Sequence, residues 1–378
     1  MPLTAYQIDT VDDGAFVFSG SPCGPYQFGS NLYIAQQSDG ASYWSMVWKS
    51  SDNGQTWAPQ DEANAPTAIG SIVSYYPGAG DTLYLSYKKS GTQQIYVCTF
   101  SMVSDLYGTS IGPAPISPST QVNRPVGVYY SGGVWKVLYA CVSPSSLRVA
   151  TWDGSSWTSS DAATYHRPLM MRPDSSGILH VFADTPNSPF YYYKLKTNGT
   201  WVDAIRLKDD ISAEDIDDEI GWPSFIGTQL VLPGCKGTGA SRTPALLIID
   251  DYLEDAPAMT LVQVDTSFAT EVQTEYYSGI INVWWMKDSF DPAGSMMSAE
   301  YNGTTVSNIQ TRYTVDLYVN FAYLQPPVSI SGVECVIAAP NYISYYFTTP
   351  AGAGRNYAFW GRGAIGSPGG PNVGIFGD

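Results

Sequence analysis

The chain has 378 residues, with 18 basic and 34 acidic side chains and a formal net charge of −16. A protein with this much negative charge repels nucleic-acid phosphates and anionic lipid. We therefore expect no nucleic-acid partner and no membrane insertion. Hydrophobic residues make up 44% of the chain and aromatic residues 14%, which supports a large core and excludes a disordered chain. No apolar run approaches the length of about 18 residues that spans a bilayer.

The start of the chain, Met1–Ala5, lacks the basic and apolar segments of a secretory signal. We therefore expect a cytoplasmic protein, or one that reaches a virion surface or the outside of the cell after lysis. The cysteines stand singly, without the spacing of a disulfide framework or a zinc site. This pattern predicts buried, reduced thiols at Cys23, Cys98, Cys141, Cys235 and Cys335.

Turn-forming sequences recur along the chain with a period of about 50 residues, which is typical of a repeat architecture. Tight two-residue turns are predicted at Asn53-Gly54, Asp153-Gly154, Asn198-Gly199 and Asn302-Gly303. At the remaining positions of the repeat, other turn-forming sequences are found, at Ser104–Gly108, Asp250–Asp251 and Thr349–Gly352.

Two apolar, partly alternating strands accompany each of these turns. The earlier strands are Leu32–Gln36, Leu83–Tyr87, Trp135–Cys141, Ile178–Ala183, Gln229–Pro233, Ile280–Met286 and Val333–Ala338. The strands next to the turns are Trp44–Lys49, Ile95–Phe100, Leu147–Trp152, Phe190–Leu195, Ala245–Ile249, Met296–Tyr301 and Ser344–Thr348.

Seven such repeats predict an all-β fold, a single seven-bladed β-propeller of four-stranded antiparallel blades, with six blades as the alternative. We assign residues 1–360 to the propeller, and expect a strand within residues 5–18 to latch the last blade. Residues 361–378 form a glycine-rich C-terminal segment, suited to an irregular surface segment or an attachment arm.

One segment carries a family resemblance. Residues 50–57 match the pattern Ser-x-Asp-x-Gly-x-Thr-Trp at Ser50, Asp52, Gly54, Thr56 and Trp57. The segment resembles the Asp box of the sialidase-like β-propeller superfamily. The resemblance implies a turn between the third and fourth strands of a blade, on the face away from any active site. It therefore predicts the fold and gives no information about catalysis.

Sialidase activity itself is not expected. Sialidases hold a substrate carboxylate with three arginines, the first in an Arg-Ile-Pro motif of the first blade, and they have six blades. Here the equivalent place reads Cys23-Gly24-Pro25, and no arginine precedes Arg124. Because lysine does not reproduce bidentate recognition by arginine, the resemblance is to a non-sialidase member of the superfamily.

A ligand site is predicted where the innermost strands begin, since these starts surround the axis of a propeller. Proline follows the predicted starts at Asn123–Pro125, His166–Pro168 and Gly221–Pro223. The residues before each proline, which would line the pocket, are Arg124, His166, Arg167 and Trp222. Arginine and tryptophan suit sugar ligands, by hydrogen bonding and ring stacking. Alternatively, proline only fixes the direction in which each strand starts.

No catalytic set emerges from the sequence. His166 with Tyr165 and Arg167 contains the groups of a polysaccharide lyase, but adjacent strand residues point to opposite faces. The other histidine, His180, is expected to pack inside a strand. A glycosidase would need two facing carboxylates, and the residues near predicted pocket loops are Asp184, Asp218 and Asp288. Whether the protein is an enzyme stays open, with a non-enzyme favoured.

The acidic run Asp209–Glu219 lacks the residue order of a calcium-binding EF-hand loop. A solvated loop is expected there, with Ca²⁺ as the alternative, and no other metal and no cofactor are predicted.

Three functions fit these features. The favoured one is a non-catalytic propeller that binds a glycan or another cell-surface ligand, as a receptor-binding component of a phage tail or virion surface would. The second is a glycoside hydrolase or polysaccharide lyase acting at the axial pocket. The third is a structural propeller that docks other protein subunits through blade edges and tyrosine-rich stretches such as Tyr191–Tyr193.

Overall fold

The computed structural model describes most of the chain. The described residues are 3–11, 26–38, 44–52, 56–66, 68–89, 94–114, 122–141, 146–164, 166–185, 190–208, 220–237, 241–287, 295–314, 320–324, 328–330, 333–341 and 355–362. Almost all of them lie in short β-strands, as the β-branched and aromatic runs predict. One short 3-10 helix, Glu62–Asn64, interrupts them. No helix among the described residues has the length and apolar character needed to cross a membrane.

The first strand, β1 (Leu3–Val11), is followed by six antiparallel sheets of four consecutive strands, which we call blades 1 to 6. Blade 1 contains β2 (Tyr26–Phe28), β3 (Asn31–Ser38), β4 (Trp44–Ser50) and β5 (Ala58–Gln60). Blade 2 contains β6 (Ala68–Tyr75), β7 (Thr82–Lys89), β8 (Gln94–Ser101) and β9 (Leu106–Tyr107). Blade 3 contains β10 (Val122–Ser131), β11 (Val134–Cys141), β12 (Ser146–Trp152) and β13 (Trp157–Thr164).

The second half of the chain repeats this pattern. Blade 4 contains β14 (Arg167–Pro173), β15 (Leu179–Asp184), β16 (Phe190–Leu195) and β17 (Trp201–Lys208). Blade 5 contains β18 (Ser224–Ile226), β19 (Gln229–Lys236), β20 (Thr243–Asp250) and β21 (Ala258–Gln263). Blade 6 contains β22 (Ala269–Tyr277), β23 (Ile280–Lys287), β24 (Ser295–Tyr301) and β25 (Val306–Thr314). The last strands are β26 (Asn320–Leu324), β27 (Val328–Ile330), β28 (Val333–Asn341) and β29 (Arg355–Arg362).

The prediction of seven four-stranded blades is wrong, and the alternative of six blades is the one that the structure supports. The last repeat does not form a seventh sheet of four consecutive strands, because its strands join β1 from the other end of the chain in a five-stranded sheet. In that sheet β29 pairs with both β1 and β28. The spacing of turns predicts only where neighbouring strands form hairpins. It cannot predict this sheet, because the pairing of β1 with β29 joins strands that are far apart in the sequence.

The described residues divide into two compact units. The first unit, Asp13–Ser50 with Ala58–Asp209, holds the sheets of blades 1 to 4. The second unit, Met1–Asp12 with Ser51–Trp57 and Asp210–Asp378, holds blades 5 and 6 and the five-stranded sheet.

Apolar clusters between neighbouring blades hold each unit together. Within the first unit, separate clusters join blade 1 to blade 2, blade 2 to blade 3, and blade 3 to blade 4. Successive residues of β11 show how one strand serves two clusters, since Val137 packs towards blade 2 and Leu138 towards blade 4. The blades approach so closely that a Cβ added at Gly127 would lie 2.8 Å from the Cβ of Met171. In the second unit one cluster joins blades 5 and 6.

Candidate functional site

One end of blade 4 brings together a histidine, two tyrosines and a carboxylate. His166 directly precedes β14, Asp184 ends β15, and Tyr191 and Tyr193 lie near the start of β16. Because β14, β15 and β16 pair antiparallel in this order, the starts of β14 and β16 meet the end of β15. Residues that are up to 27 positions apart in the sequence therefore share one end of the sheet.

The rings at this end are in direct contact. The Nδ1 atom of His166 lies 2.6 Å from the hydroxyl oxygen of Tyr193. The ring centroids of His166 and Tyr191 are 4.4 Å apart. His166 and Tyr191 are half-buried, whereas Tyr193 and Asp184 are buried. The rings of His166 and Tyr191 are thus partly exposed to solvent, and the buried Tyr193 contacts His166 on its protein side.

The surroundings favour uncharged forms of His166 and Tyr193. Burial lowers the pKa of His166 below its ordinary value of 6.5, although the charge of Asp184 acts in the opposite direction. Burial, with a smaller contribution from Tyr191, raises the pKa of Tyr193. When the imidazole carries its proton on Nε2, the Tyr193 hydroxyl donates to Nδ1. The Nε2 atom has no hydrogen-bond partner among the described residues, so it is available to a ligand.

Two of the predicted ligand residues lie at comparable positions of neighbouring blades. Arg124 is near the start of β10 and pairs through its backbone with Ala140, and Arg167 begins β14 opposite Asp184. The first strands β10 and β14 pack against each other within the first unit. The side chains of Arg124 and Arg167 lie outside the described part of the structure, and Tyr165 is likewise outside it. Their roles remain predictions.

Trp222, the fourth predicted ligand residue, belongs to the second unit and directly precedes Pro223 and β18. Its backbone N–H donates to the side-chain oxygen of Gln273 over 2.7 Å, and its carbonyl accepts from the Thr274 hydroxyl over 2.7 Å. The residue is only 8% exposed. These contacts fix the segment against β22, and little of the indole surface is presented to solvent.

The Asp-box segment joins β4 to β5, the third and fourth strands of blade 1. The Asp52 carboxylate accepts the Thr56 backbone N–H over 2.8 Å and the Thr56 hydroxyl over 2.6 Å, while Ser50 is buried. Trp57 is half-buried, and Gly54 lies outside the described residues. The identity of this segment as an Asp box therefore stays a prediction.

The other predicted Asp-Gly and Asn-Gly turns also join third and fourth strands, in blades 3, 4 and 6. The side-chain oxygen of Asp153 accepts the N–H groups of Ser155 and Ser156, each over 2.8 Å. Asn198 and Asn302 accept backbone N–H groups two residues further on in the same way. Such side-chain-to-backbone bonds stabilise a turn without any ligand, so these residues are structural.

The second histidine is buried, as predicted. His180 lies in β15 with no exposed surface, and its Nε2–H faces the Asp174 carboxylate at 3.3 Å. The Tyr192 hydroxyl lies 2.6 Å from Nδ1. Burial lowers the pKa of His180 although Asp174 raises it, so the ring is neutral and both nitrogens are satisfied. This network is buried and is separate from the His166 cluster.

Sequence reasoning assigned Tyr191 and Tyr193 to a docking stretch and left them out of the ligand site. The missed signal is the alternation of the strand, since Tyr191 and Tyr193 lie on one face of β16 and Tyr192 on the other. Asp184 was identified as a residue near the pocket loops. Its closeness to His166 depends on the register of β14 with β15, which the sequence does not show.

No group of three or more His, Cys, Asp or Glu side chains within the described ranges is arranged to hold a metal ion. The acidic run Asp209–Glu219, with its Ca²⁺ alternative and Asp218, lies outside those ranges, and so does Asp288. Cys98 and Cys235 are buried free thiols, as predicted.

Neither a protein-family model nor a curated protein sequence matches the chain. Solved structures do resemble it. YCF48 bound to D1 peptide has a TM-score of 0.53 at 13% identity, covering 95% of this chain and 97% of that one. The polysaccharide lyase Uly1 has a TM-score of 0.51 at 8% identity, covering 95% of this chain and 97% of that one. The endosialidase of phage phi92 has a TM-score of 0.48 at 10% identity, covering 95% of this chain and 69% of that one.

An α-L-arabinanase, an α-L-arabinofuranosidase and a PL25 ulvan lyase also match, with TM-scores of 0.46, 0.48 and 0.44. The two matches with TM-scores above 0.5, YCF48 and Uly1, support the β-propeller fold. At such low identity the likeness shows the fold alone.

Proposed function

We propose that this protein is a non-catalytic β-propeller that binds a glycan at the His166 end of blade 4. The observation that carries the proposal is the contact between the half-exposed rings of His166 and Tyr191, whose centroids are 4.4 Å apart, backed by Tyr193. Aromatic faces bind the apolar face of a sugar ring, while Nε2 of His166 can hydrogen-bond a sugar hydroxyl. We include the predicted residues Arg124 and Arg167 in this site. Trp222, which belongs to the second unit, stays a sequence-based prediction of a ligand residue.

A display role follows from this binding function. A glycan-binding propeller can act as a receptor-binding component on a phage tail or a virion surface, where its ligand is a cell-surface glycan. We also expect the domain assignment to hold, with residues 1–360 as the propeller, a strand within residues 5–18 as its latch, and residues 361–378 as an attachment segment. Docking to other structural subunits is the competing non-catalytic role.

The test is a glycan array followed by calorimetric titration of the best ligand. We expect His166→Ala and Tyr191→Ala each to weaken binding about tenfold, the effect of losing one well-packed ring contact. Tyr276→Ala is the matched control, because Tyr276 is 47% exposed and lies in blade 6, in the other unit. Unchanged affinity in both site variants would remove the proposal, and so would an array on which the protein binds no glycan.

Lyase activity is the second candidate, favoured by the 2.6 Å contact between Nδ1 of His166 and the Tyr193 hydroxyl. When Nδ1 of His166 carries the proton and donates to the Tyr193 oxygen, the neutral Nε2 can take the C5 proton of a uronate. The C4–O bond then breaks as the C4–C5 double bond forms, and the imidazolium returns the proton to the leaving oxygen. The measurement is the ultraviolet absorbance of the unsaturated uronate product. Product formation that is lost in His166→Ala and in Tyr193→Phe would replace the binding proposal with this enzymatic one.

A further inference from the structure

A second aromatic surface lies within the first unit, where blades 2 and 3 meet. We call it the tyrosine cluster, and it comprises Tyr75 at the end of β6, Tyr84 near the start of β7, and Tyr129 and Tyr130 near the end of β10. The rings of Tyr84 and Tyr130 stack with centroids 4.1 Å apart and an interplanar angle of 14°. Tyr75 contacts Tyr129 edge-on at 5.2 Å.

This cluster is distinct from the His166 site. It lies where first strands end, whereas His166 lies where the first strand of blade 4 begins. The turn that contains Gly177 gives a second indication. This turn lies beside the tyrosine cluster, because a Cβ added at Gly177 would come within 2.9 Å of the Tyr129 hydroxyl oxygen. Gly177 lies in the turn between β14 and β15, at the opposite end of β14 from His166.

The hydroxyl groups of the cluster are polar groups without a hydrogen-bond partner among the described residues. All four tyrosines are half-buried, yet none of their hydroxyls makes a hydrogen bond within the described part of the chain. By contrast, the neighbouring Tyr26 hydroxyl is bonded to Ser74 at 2.8 Å. Four partly covered rings that carry unbonded hydroxyls combine apolar surface with polar groups that can both donate and accept.

The charges around the cluster bear on the kind of ligand that it would bind. Burial and the surrounding groups, including the Asp81 carboxylate, raise the pKa of Tyr84, so Asp81 acts on the cluster electrostatically. Beneath Tyr84 and Tyr130, the ring of Trp135 is buried and lies 5.1 Å from Tyr130. The whole chain carries a net charge of −16. Lys136 lies opposite Tyr129 in the sheet, so the cluster has one cation beside it as well. With the strongly negative chain as a whole, we expect an uncharged sugar to bind here better than a ligand with carboxylate or sulfate groups.

We propose that the tyrosine cluster is a second carbohydrate-binding surface, specific for a neutral oligosaccharide. The sugar rings lie against the exposed parts of Tyr84 and Tyr130, and the sugar hydroxyls bond the tyrosine hydroxyls. This surface supplies a second point of attachment on the first unit, so a long polysaccharide bound at both places gains avidity without tighter individual sites.

The test measures binding of cellohexaose, laminarihexaose and xylohexaose, with a polyuronate hexasaccharide as the charged comparison. All titrations are done in the His166→Ala background, so that the outcome is independent of the site proposed above. We expect at least one neutral hexasaccharide to bind, the uronate not to bind, and Tyr130→Ala to weaken binding about tenfold. Tyr276→Ala, on the exposed tyrosine of blade 6, is expected to leave the affinity unchanged.

Tyr130→Phe keeps the stacked ring and removes only the hydroxyl. The test can therefore still be carried out if the alanine variant does not fold. We expect Tyr130→Phe to weaken binding several-fold, with an unchanged circular dichroism spectrum. Failure of all three neutral hexasaccharides to bind would overturn the proposal, as would equal affinity in the parent and Tyr130→Phe. A preference for the uronate, or occupation of the surface by a protein partner instead, would also overturn it.

Discussion

Removing the charge of Asp174 should expose how strongly a buried turn stabilises blade 4. One oxygen of this carboxylate accepts the N–H groups of Ser176 and Ile178 over 2.8 and 3.0 Å, and the other faces His180 at 3.3 Å. Burial works against ionisation, but the hydrogen bonds from His180 and Ser176 outweigh it. They lower the pKa of Asp174 from 3.8 to about 2.

The size of the effect follows from this pKa. A carboxyl group that ionises at about 2 rather than 3.8 stabilises the folded state by about 2 kcal/mol at neutral pH. Since the folded-state pKa is the lower one, this stabilisation is present above pH 4 and is lost as the pH falls from about 4 to about 2. We therefore expect Asp174→Asn to lower the free energy of unfolding by about 2 kcal/mol at pH 7.

Urea unfolding at a series of pH values measures this free energy. Asp153→Asn is the matched control, because Asp153 makes the same kind of turn bonds on the exposed surface, and hydrogen bonds from Ser156 and Ser155 also hold its pKa at about 2. Solvent screens that charge, so the control should lose less stability. The reasoning fails if Asp174→Asn and Asp153→Asn are equally stable at pH 7. It also fails if the deficit of Asp174→Asn does not shrink below pH 4.

Three further predictions concern packing between and within blades. Burial raises the pKa of the Cys98 thiol to about 12, so iodoacetamide should not label Cys98 in the native protein, and peptide mapping should find it labelled only after denaturation. Trp285 is fully buried in the cluster that joins blades 5 and 6, and Trp285→Ala should lower the free energy of unfolding by about 3 to 5 kcal/mol in urea titrations. Lys49 of blade 1 lies 2.6 Å from Asp105, which follows β8 of blade 2. A double-mutant cycle with Lys49→Ala and Asp105→Ala should give a coupling of about 1 kcal/mol at most, decreasing with added salt, because both side chains are partly exposed.

Strands and their turns could be predicted closely, because both depend on local chemistry. The run predicted at Ile280–Met286 is β23, Ile280–Lys287, and the one predicted at Ile95–Phe100 is β8, Gln94–Ser101. Alternating apolar residues give a strand two different faces, and an Asp or Asn beside a glycine supplies both the positive φ and the acceptor that a tight turn needs. Gly154, for example, has a φ of 99° beside the accepting Asp153.

The blade count and the site could not be predicted in the same way, because both depend on long-range pairing. An even spacing of turns predicted a seventh blade of four consecutive strands, whereas β29 pairs with β1 from the other end of the chain. A latch strand within residues 5–18 was expected, but the sequence shows neither its partner strand nor its register. The His166 cluster likewise depends on the register between β14, β15 and β16. The sequence could identify His166 by its place before a proline, but not the tyrosines that surround it.

The distribution of tyrosine explains why composition alone misleads about function in this chain. Tyr33 and Tyr139 are fully buried between blades, and the hydroxyl of Tyr33 is satisfied by Asp105 and the Met102 carbonyl. Such residues hold the blades together and would be equally frequent in a propeller that binds nothing. Tyr191 and Tyr130 differ because their rings remain partly exposed at the ends of strands. Binding function should therefore be sought in such partly exposed aromatic residues at strand ends, and substitutions there should change affinity while leaving stability nearly unchanged.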